Sequence, residues 1–188
     1  NTDNCQVVGE TIDYGPCAFM DRYHPMQVYS SIDRMGRYAY GTQPDIIVWN
    51  MAQLATALVP LMPDADEAIE TFTKAIHSMP EMIKRNWLSV FAAKIGITTP
   101  KPEDEALTNA LLTLMTEGQA DFTNTFAQLG KETARDQFLE PEKYDAWETE
   151  WQTRIVTEKN SQDLMAKSNP VFIPRNHRIE EMISAAVM

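Results

Sequence analysis

A chain of 188 residues with 44% apolar and 23% charged side chains can bury a core of its own, which excludes disorder over most of its length. Its net charge of −11 excludes a general nucleic-acid binder, which needs a basic face to displace counterions, but not a nucleotide ligand, because a bound cation can supply the positive charge. No apolar run reaches the roughly 20 residues that span a bilayer, and two cysteines, Cys5 and Cys17, are too few for a disulfide-stapled secreted domain, so a reducing compartment is expected.

Residues 1–46 hold four of the seven glycines and three of the eleven prolines, and they read as loops and short strands. Cys5 to Val8 and Glu10 to Ile12 are extended candidates joined at Gly9. Asp13-Tyr14-Gly15-Pro16 then reads as a loop.

From residue 47 the apolar period becomes helical. Ile47, Met51, Leu54, Ala55, Leu58 and Met62 mark a first helix, stopped by Pro60 and Pro63. Asp64 with Glu67 forms a capping box for a second, striped by Ala68, Ile69, Phe72, Ile76 and Met79. Pro80 should break or kink that stripe, and Met82, Ile83, Trp87, Phe91 and Ile95 define a further helix up to Gly96. Shorter helices follow on Leu107, Leu111, Leu114 and Met115, on Phe122, Phe126 and Leu129, and over about 131–138. Pro141 opens one carrying Tyr144, Trp147, Trp151 and Ile155 on a core face. Another short helix is predicted over 161–167, before extended breaks at Asn169-Pro170 and Ile173-Pro174. The pattern predicts a single, mainly α domain with two parts: a catalytic-loop and metal-binding segment over 1–46, and a helical lobe over 47–188. Both ends read as cut, since the chain opens on a polar motif and stops within the amphipathic run Ile179, Met182, Ile183, Ala186.

Carboxylates and carboxamides gather at the start, in Asp3, Asn4, Glu10 and Asp13. Hard cations take oxygen ligands of this kind and keep room for phosphates. A protein kinase has a catalytic Asp, a downstream metal-binding Asn and a second metal-binding Asp in an Asp-Phe-Gly turn. Here Asp3 and Asn4 are adjacent, where the kinase pattern sets four residues between them, and an Asp-x-Gly turn also serves as an ordinary loop.

Asn1-Thr2-Asp3-Asn4, Gly9-Glu10-Thr11-Ile12-Asp13-Tyr14-Gly15-Pro16 and Phe19-Met20-Asp21 together resemble the selenoprotein O family, called YdiU in bacteria. So do Gly36-Arg37-Tyr38-Ala39-Tyr40, Gln43-Pro44, Trp49-Asn50 and, near the end, Asn169-Pro170 with Ile173-Pro174-Arg175-Asn176-His177. The resemblance implies the C-lobe portion of a protein-kinase-like fold, with a loop or β-hairpin bearing the metal-site motif. It implies ATP bound in an inverted orientation, and AMP transferred to Ser, Thr or Tyr hydroxyls of protein substrates. Asp3 matches the family's proton acceptor, Asn4 a metal ligand, and Asp13 the second metal ligand that also touches the nucleotide. The cation expected is Mg²⁺ or Mn²⁺. Some bacterial members are described as transferring UMP from UTP. The family's glycine-rich loop, phosphate-binding Lys and nucleotide-gripping Arg residues fall upstream of residue 1, so these 188 residues alone are expected to be inactive. The bacterial cytoplasm is the expected location, with the mitochondrion as the alternative.

Other readings remain beside this one: a kinase attacking the γ-phosphorus, a non-catalytic pseudokinase scaffold, and a helical interaction domain. No nucleic-acid or membrane partner is expected. Cys5 and Cys17 read as small apolar residues more readily than as a redox pair. His24, His77 and His177 are too scattered for a zinc motif. Arg34 and Arg37 could touch nucleotide or protein substrate, but a surface salt bridge or loop anchoring explains them more readily. Arg175 and Arg178 are expected to anchor the tail to the lobe. The acidic runs Asp64 to Glu70 and Glu140 to Glu150 suit solvated helix faces.

Overall fold

The computed structural model describes residues 5–6 and 19–187. Its α-helices are α1 (Gln43–Leu58), α2 (Ala65–Lys94), α3 (Asp104–Glu117), α4 (Phe122–Gln128), α5 (Pro141–Ile155), α6 (Ser161–Ser168) and α7 (Asn176–Val187). Short 3₁₀ turns occupy Tyr40–Thr42, Val59–Leu61 and Glu132–Gln137. Among the described residues the only extended pairing is one antiparallel bridge between Arg22 and Asp121. The fold is mainly helical, as the C-lobe portion of a kinase-like fold requires. The predicted strands over Cys5 to Val8 and Glu10 to Ile12 lie outside the described residues, apart from Cys5 and Gln6.

The chain divides into two compact units. The first comprises Asn1–Gly15 and Pro25–Asn86, the second Pro16–His24 and Trp87–Met188.

In the first unit, a loop leads into α1 and is held by its own backbone. Gly41 donates its N–H to the Pro25 carbonyl at 2.7 Å and Tyr40 to that of Gln27 at 3.0 Å. Asp33 accepts the backbone N–H groups of Arg37 at 2.9 Å and Tyr38 at 2.8 Å, one on each carboxylate oxygen. The Thr42 hydroxyl donates to the carbonyls of Arg37 and Ala39 at 2.9 and 3.0 Å. Pro44 fits the first turn of α1, where no N–H is needed. That helix begins at Gln43, four residues ahead of its first predicted apolar position, and passes into the Val59–Leu61 turn at Pro60. Asp64 caps α2 as its sequence suggested: Oδ1 accepts from the N–H groups of Asp66 at 2.9 Å and Glu67 at 3.0 Å.

The break expected at Pro80 is absent. α2 runs unbroken for 30 residues, with Pro80 inside it. Proline removes one hydrogen bond, that to the Ile76 carbonyl, and the turns on either side carry the helix across. Pro80 is exposed, so water can reach the freed carbonyl. The predicted stripe along the first half of α2 is only thinly covered within its unit: Ala68 is buried, whereas Ile69 remains 52% exposed.

In the second unit, the sequence secures a closed end for α2. Gly96 adopts φ +81°. Ile97 donates to the Ala92 carbonyl at 2.8 Å and Gly96 to that of Ala93 at 3.1 Å, the paired bonds of a Schellman cap. The next two carbonyls take side chains: Asn169 Nδ2 donates to Lys94 at 2.8 Å, and Trp151 Nε1 to Ile95 at 2.8 Å. No carbonyl of the last turn is left to water. A Cβ at position 96 would come within 2.1 Å of Ser161 Oγ and 3.2 Å of Met165 Cγ. Gly96→Ala is therefore expected to cost about 2 kcal/mol or more, from left-handed strain plus the clash. A urea titration would show it as a lowered midpoint at unchanged slope; an unaltered midpoint would refute the cap's importance.

α3 packs on α5, and the predicted aromatic face forms the core. Tyr144, Trp147, Trp151 and Ile155 are all buried. Phe138 stacks on Tyr144 at 4.7 Å between ring centroids, and Trp147 on Trp151 at 5.6 Å with planes 8° apart. Trp147 Nε1 donates to the Leu107 carbonyl at 2.9 Å, so each buried indole has its polar atom satisfied. At the mouth of this layer, Arg154 forks onto Asp104, whose side chain is 3% exposed, with Nε to Oδ1 at 2.6 Å and Nη2 to Oδ2 at 3.0 Å. Its Nη1 reaches Glu158 at 2.7 Å. Burial alone would raise the Glu158 carboxyl, but the Thr98 hydroxyl, Arg154 and the Thr98 N–H together hold it below the usual carboxylate range.

Candidate functional site

Asp3, Asn4 and Asp13 lie outside the described residues. The description opens at Cys5, the residue that follows Asn4 in sequence, and resumes at Phe19. Two sets of described residues that carry parts of the sequence signatures follow, one in each unit.

Within the first unit, a cavity of about 890 Å³ is lined by Cys5, Asp33, Arg34, Arg37, Tyr38, Gln43 and Asn50, with Ile32, Met35, Ile46 and Ile47 as apolar wall. The Asp33 turn described above shapes its rim. The Arg37 guanidinium stacks over the Trp49 ring at 4.8 Å and lies 5.8 Å from that of Tyr38. Neither Arg34 nor Arg37 pairs with a carboxylate among the described residues. Asn50, about two turns into α1, is 5% exposed, and its Oδ1 has no hydrogen-bond partner among the described residues. Loop anchoring thus falls to Asp33 and the backbone, while the Arg34 and Arg37 side chains are left facing a cavity. Cys5 carries a free thiol and is half-buried; Cys17 lies outside the described residues.

Within the second unit, two of the sequence signatures meet. The segment after Phe19 is pinned to the turn before α4: Tyr23 donates to the Ala120 carbonyl at 2.9 Å and Phe122 to that of Asp21 at 2.7 Å. Arg175 bridges Asp21 and Asp121, with Nη2 at 3.0 Å from Asp121 Oδ1. Asp121 also caps α4, accepting from the Asn124 N–H at 2.7 Å. Phe19-Met20-Asp21 is thereby joined to Ile173-Pro174-Arg175, 154 residues away. Arg175 anchors the tail as expected; Arg178 instead pairs with Glu181 in its own helix at 2.7 Å.

Lys94, which carried no signal in the sequence, is a further half-buried cation of the second unit, in addition to Arg154 and Arg175. Its ammonium donates to the Ser168 carbonyl at 3.1 Å and sits 5.3 Å from the Phe126 ring centroid. Burial pushes its amine below the ordinary lysine value. Its partners are the C-terminal end of α6 and an aromatic flank, a structural setting. Among the described residues no three His, Cys, Asp or Glu side chains cluster as a metal site, and no helix is long and apolar enough to cross a membrane.

Comparison with known proteins covers both signatures and the cavity. The family described as Protein adenylyltransferase SelO matches residues 1–187. A Protein nucleotidyltransferase YdiU of Ruegeria pomeroyi is 59% identical over 187 residues, covering 100% of this chain and 40% of the relative. Proteins of the same name from Roseobacter denitrificans and Clostridium botulinum are 55% and 47% identical, with 40% and 39% of their lengths covered. The chain thus spans about two fifths of the length of the curated relatives it matches. With the family matched from the Asp3-Asn4 motif through the Arg175 segment, the chain belongs to the SelO family.

Proposed function

We propose that the protein, at the length of its relatives, transfers AMP from ATP to Ser, Thr or Tyr hydroxyls of other proteins. The observation that carries this reading is the motif Thr2-Asp3-Asn4 followed by Asp13-Tyr14-Gly15, within a chain that the SelO family matches over residues 1–187. The relatives' names support nucleotidyl transfer in general, and ATP is the donor the resemblance implies.

Each residue has a chemical task. The Asp3 carboxylate orients the acceptor hydroxyl and takes its proton as the oxygen attacks the α-phosphorus. A bond forms between acceptor oxygen and α-phosphorus, the bond from that phosphorus to the bridging oxygen breaks, and pyrophosphate leaves. Asn4 and Asp13 offer a carboxamide and a carboxylate oxygen, a hard donor set that fits Mg²⁺ or Mn²⁺. When bound, such a cation supplies charge neutralisation on the phosphates. Asp13 also contacts the nucleotide. The bacterial cytoplasm is the compartment this function fits.

Intact-mass measurement of an acceptor protein, incubated with the full-length enzyme, a divalent cation and ATP or UTP, tests the proposal. A gain of one AMP per event is the expected result. A gain of one phosphate would make the protein a kinase, and a gain of UMP with UTP alone would change the donor. No gain with either nucleotide would favour a scaffold. The 188-residue chain run alongside is expected to give no gain.

A further inference from the structure

The cavity of the first unit has no task in the transfer chemistry proposed above, yet its composition is not that of a passive hollow. In a chain of net charge −11, its rim holds two guanidinium groups, on Arg34 and Arg37, with no carboxylate partner among the described residues. The acid that precedes Arg34 in sequence, Asp33, has both carboxylate oxygens engaged by backbone N–H groups. The Arg37 guanidinium sits over the Trp49 ring, 4.8 Å from its centroid, a contact that does not use its N–H donors. In the same lining, Asn50 Oδ1 is buried and lacks a donor among the described residues, although a buried amide oxygen of this kind ordinarily has one. At the rim, Ile32 and Met35 stand 89% and 90% exposed on either side of Arg34.

Unpaired cations, an unpaired buried acceptor and exposed apolar side chains are complementary to one kind of occupant. An acidic side chain answers the guanidiniums, a peptide N–H answers Asn50, and neighbouring apolar residues cover Ile32 and Met35. A nucleotide phosphate would answer the arginines, but it would leave the apolar rim in water. Cys5, in the same lining, directly follows Asn4 in sequence.

We infer that this cavity receives an acidic segment of the acceptor protein, so that Arg34 and Arg37 select acceptor hydroxyls flanked by Asp or Glu. The inference rests on the proposed transferase reading and adds the substrate class to it.

The test uses the full-length enzyme and a set of Ser-, Thr- and Tyr-containing peptides carrying Asp, Asn or Lys at each flanking position. Transfer to the best Asp peptide is expected to exceed that to its Lys counterpart by about tenfold or more in kcat/KM, the size of one charge-assisted hydrogen bond. The double variant Arg34→Glu/Arg37→Glu is expected to invert the preference toward Lys peptides, a readout that a merely structural role would not move. Asn50→Leu, of similar volume, is expected to raise KM for the Asp peptide while keeping the charge preference. Equal use of Asp, Asn and Lys peptides by the parent enzyme would overturn the inference. So would a rise in KM for ATP in the double variant with the peptide preference unchanged, which would assign the arginines to the nucleotide. Absence of transfer to any peptide or protein would instead remove the transferase reading itself.

Discussion

Asp13→Ala in the full-length enzyme is expected to reduce AMP transfer by about a thousandfold or more, with helix content unchanged. Two losses combine at this one position. The carboxylate is one of two ligands assigned to the cation, and its removal leaves the phosphates with less compensation as charge moves onto the leaving pyrophosphate. Preorganised electrostatic stabilisation of this kind is worth about 10²–10³ in rate for a single group. The same carboxylate is assigned a nucleotide contact, so KM for ATP should rise as well. Asp3→Asn is a useful contrast, because it removes a proton acceptor and leaves the ligand set. A fall in kcat of about 10²–10⁴ with nucleotide binding retained is the result expected there. Labelled-AMP transfer measured over a range of ATP and Mn²⁺ concentrations separates the two variants. Transfer by Asp13→Ala within a few-fold of the parent would sink the assignment of this residue.

Trp151→Ala is expected to cost about 3–5 kcal/mol, a large share of the 5–15 kcal/mol that holds a typical domain together. Trp151 is fully buried, stacks on Trp147 and has the ring edge of its six-membered face 3.4 Å from where a Cβ on Gly130 would stand. Truncation therefore opens a cavity between α5 and the turn after α4. It also strips the Ile95 carbonyl of the indole N–H that it accepts, at the closed end of α2. Trp151→Phe separates these effects: most of the ring area stays, the N–H goes, and about 1–3 kcal/mol should be lost. Denaturant titrations followed by far-UV circular dichroism would measure both. A loss below about 1 kcal/mol for the alanine variant would show that the aromatic layer is not central to this unit.

The same aromatic layer shows what was readable from residues alone. Tyr144, Trp147, Trp151 and Ile155 recur at helical spacing behind a first-turn proline, and local period, cap and burial all agree there. Gly96 and the Asp64 cap were legible for the same reason, since each acts through its immediate neighbours. At Pro80 a break or a kink was expected, and the break does not occur: a single lost bond on an exposed face is tolerated when long stretches of helix flank it. The junction of Arg175 with Asp21 was beyond sequence pattern, since nothing local links residues 154 positions apart. As for the site, Asp3, Asn4 and Asp13 stand out through family resemblance, because their spacing alone also suits a plain turn. The cavity could not be anticipated at all. Arg34 and Arg37 were readable as residues that could touch nucleotide or substrate, but their lack of carboxylate partners among the described residues is a property of three dimensions.

The Arg154 cluster makes the second unit sensitive to protons. Glu158 is held below the ordinary carboxylate value in the folded chain, so the unfolded chain binds its proton more readily. The stabilisation is fully present above the unfolded carboxylate value and disappears as the pH falls through the lower, folded one. Unfolding within that acidic window must therefore draw a proton from solution onto Glu158, and acid weakens the corner where α5 is tied to the residues around Thr98.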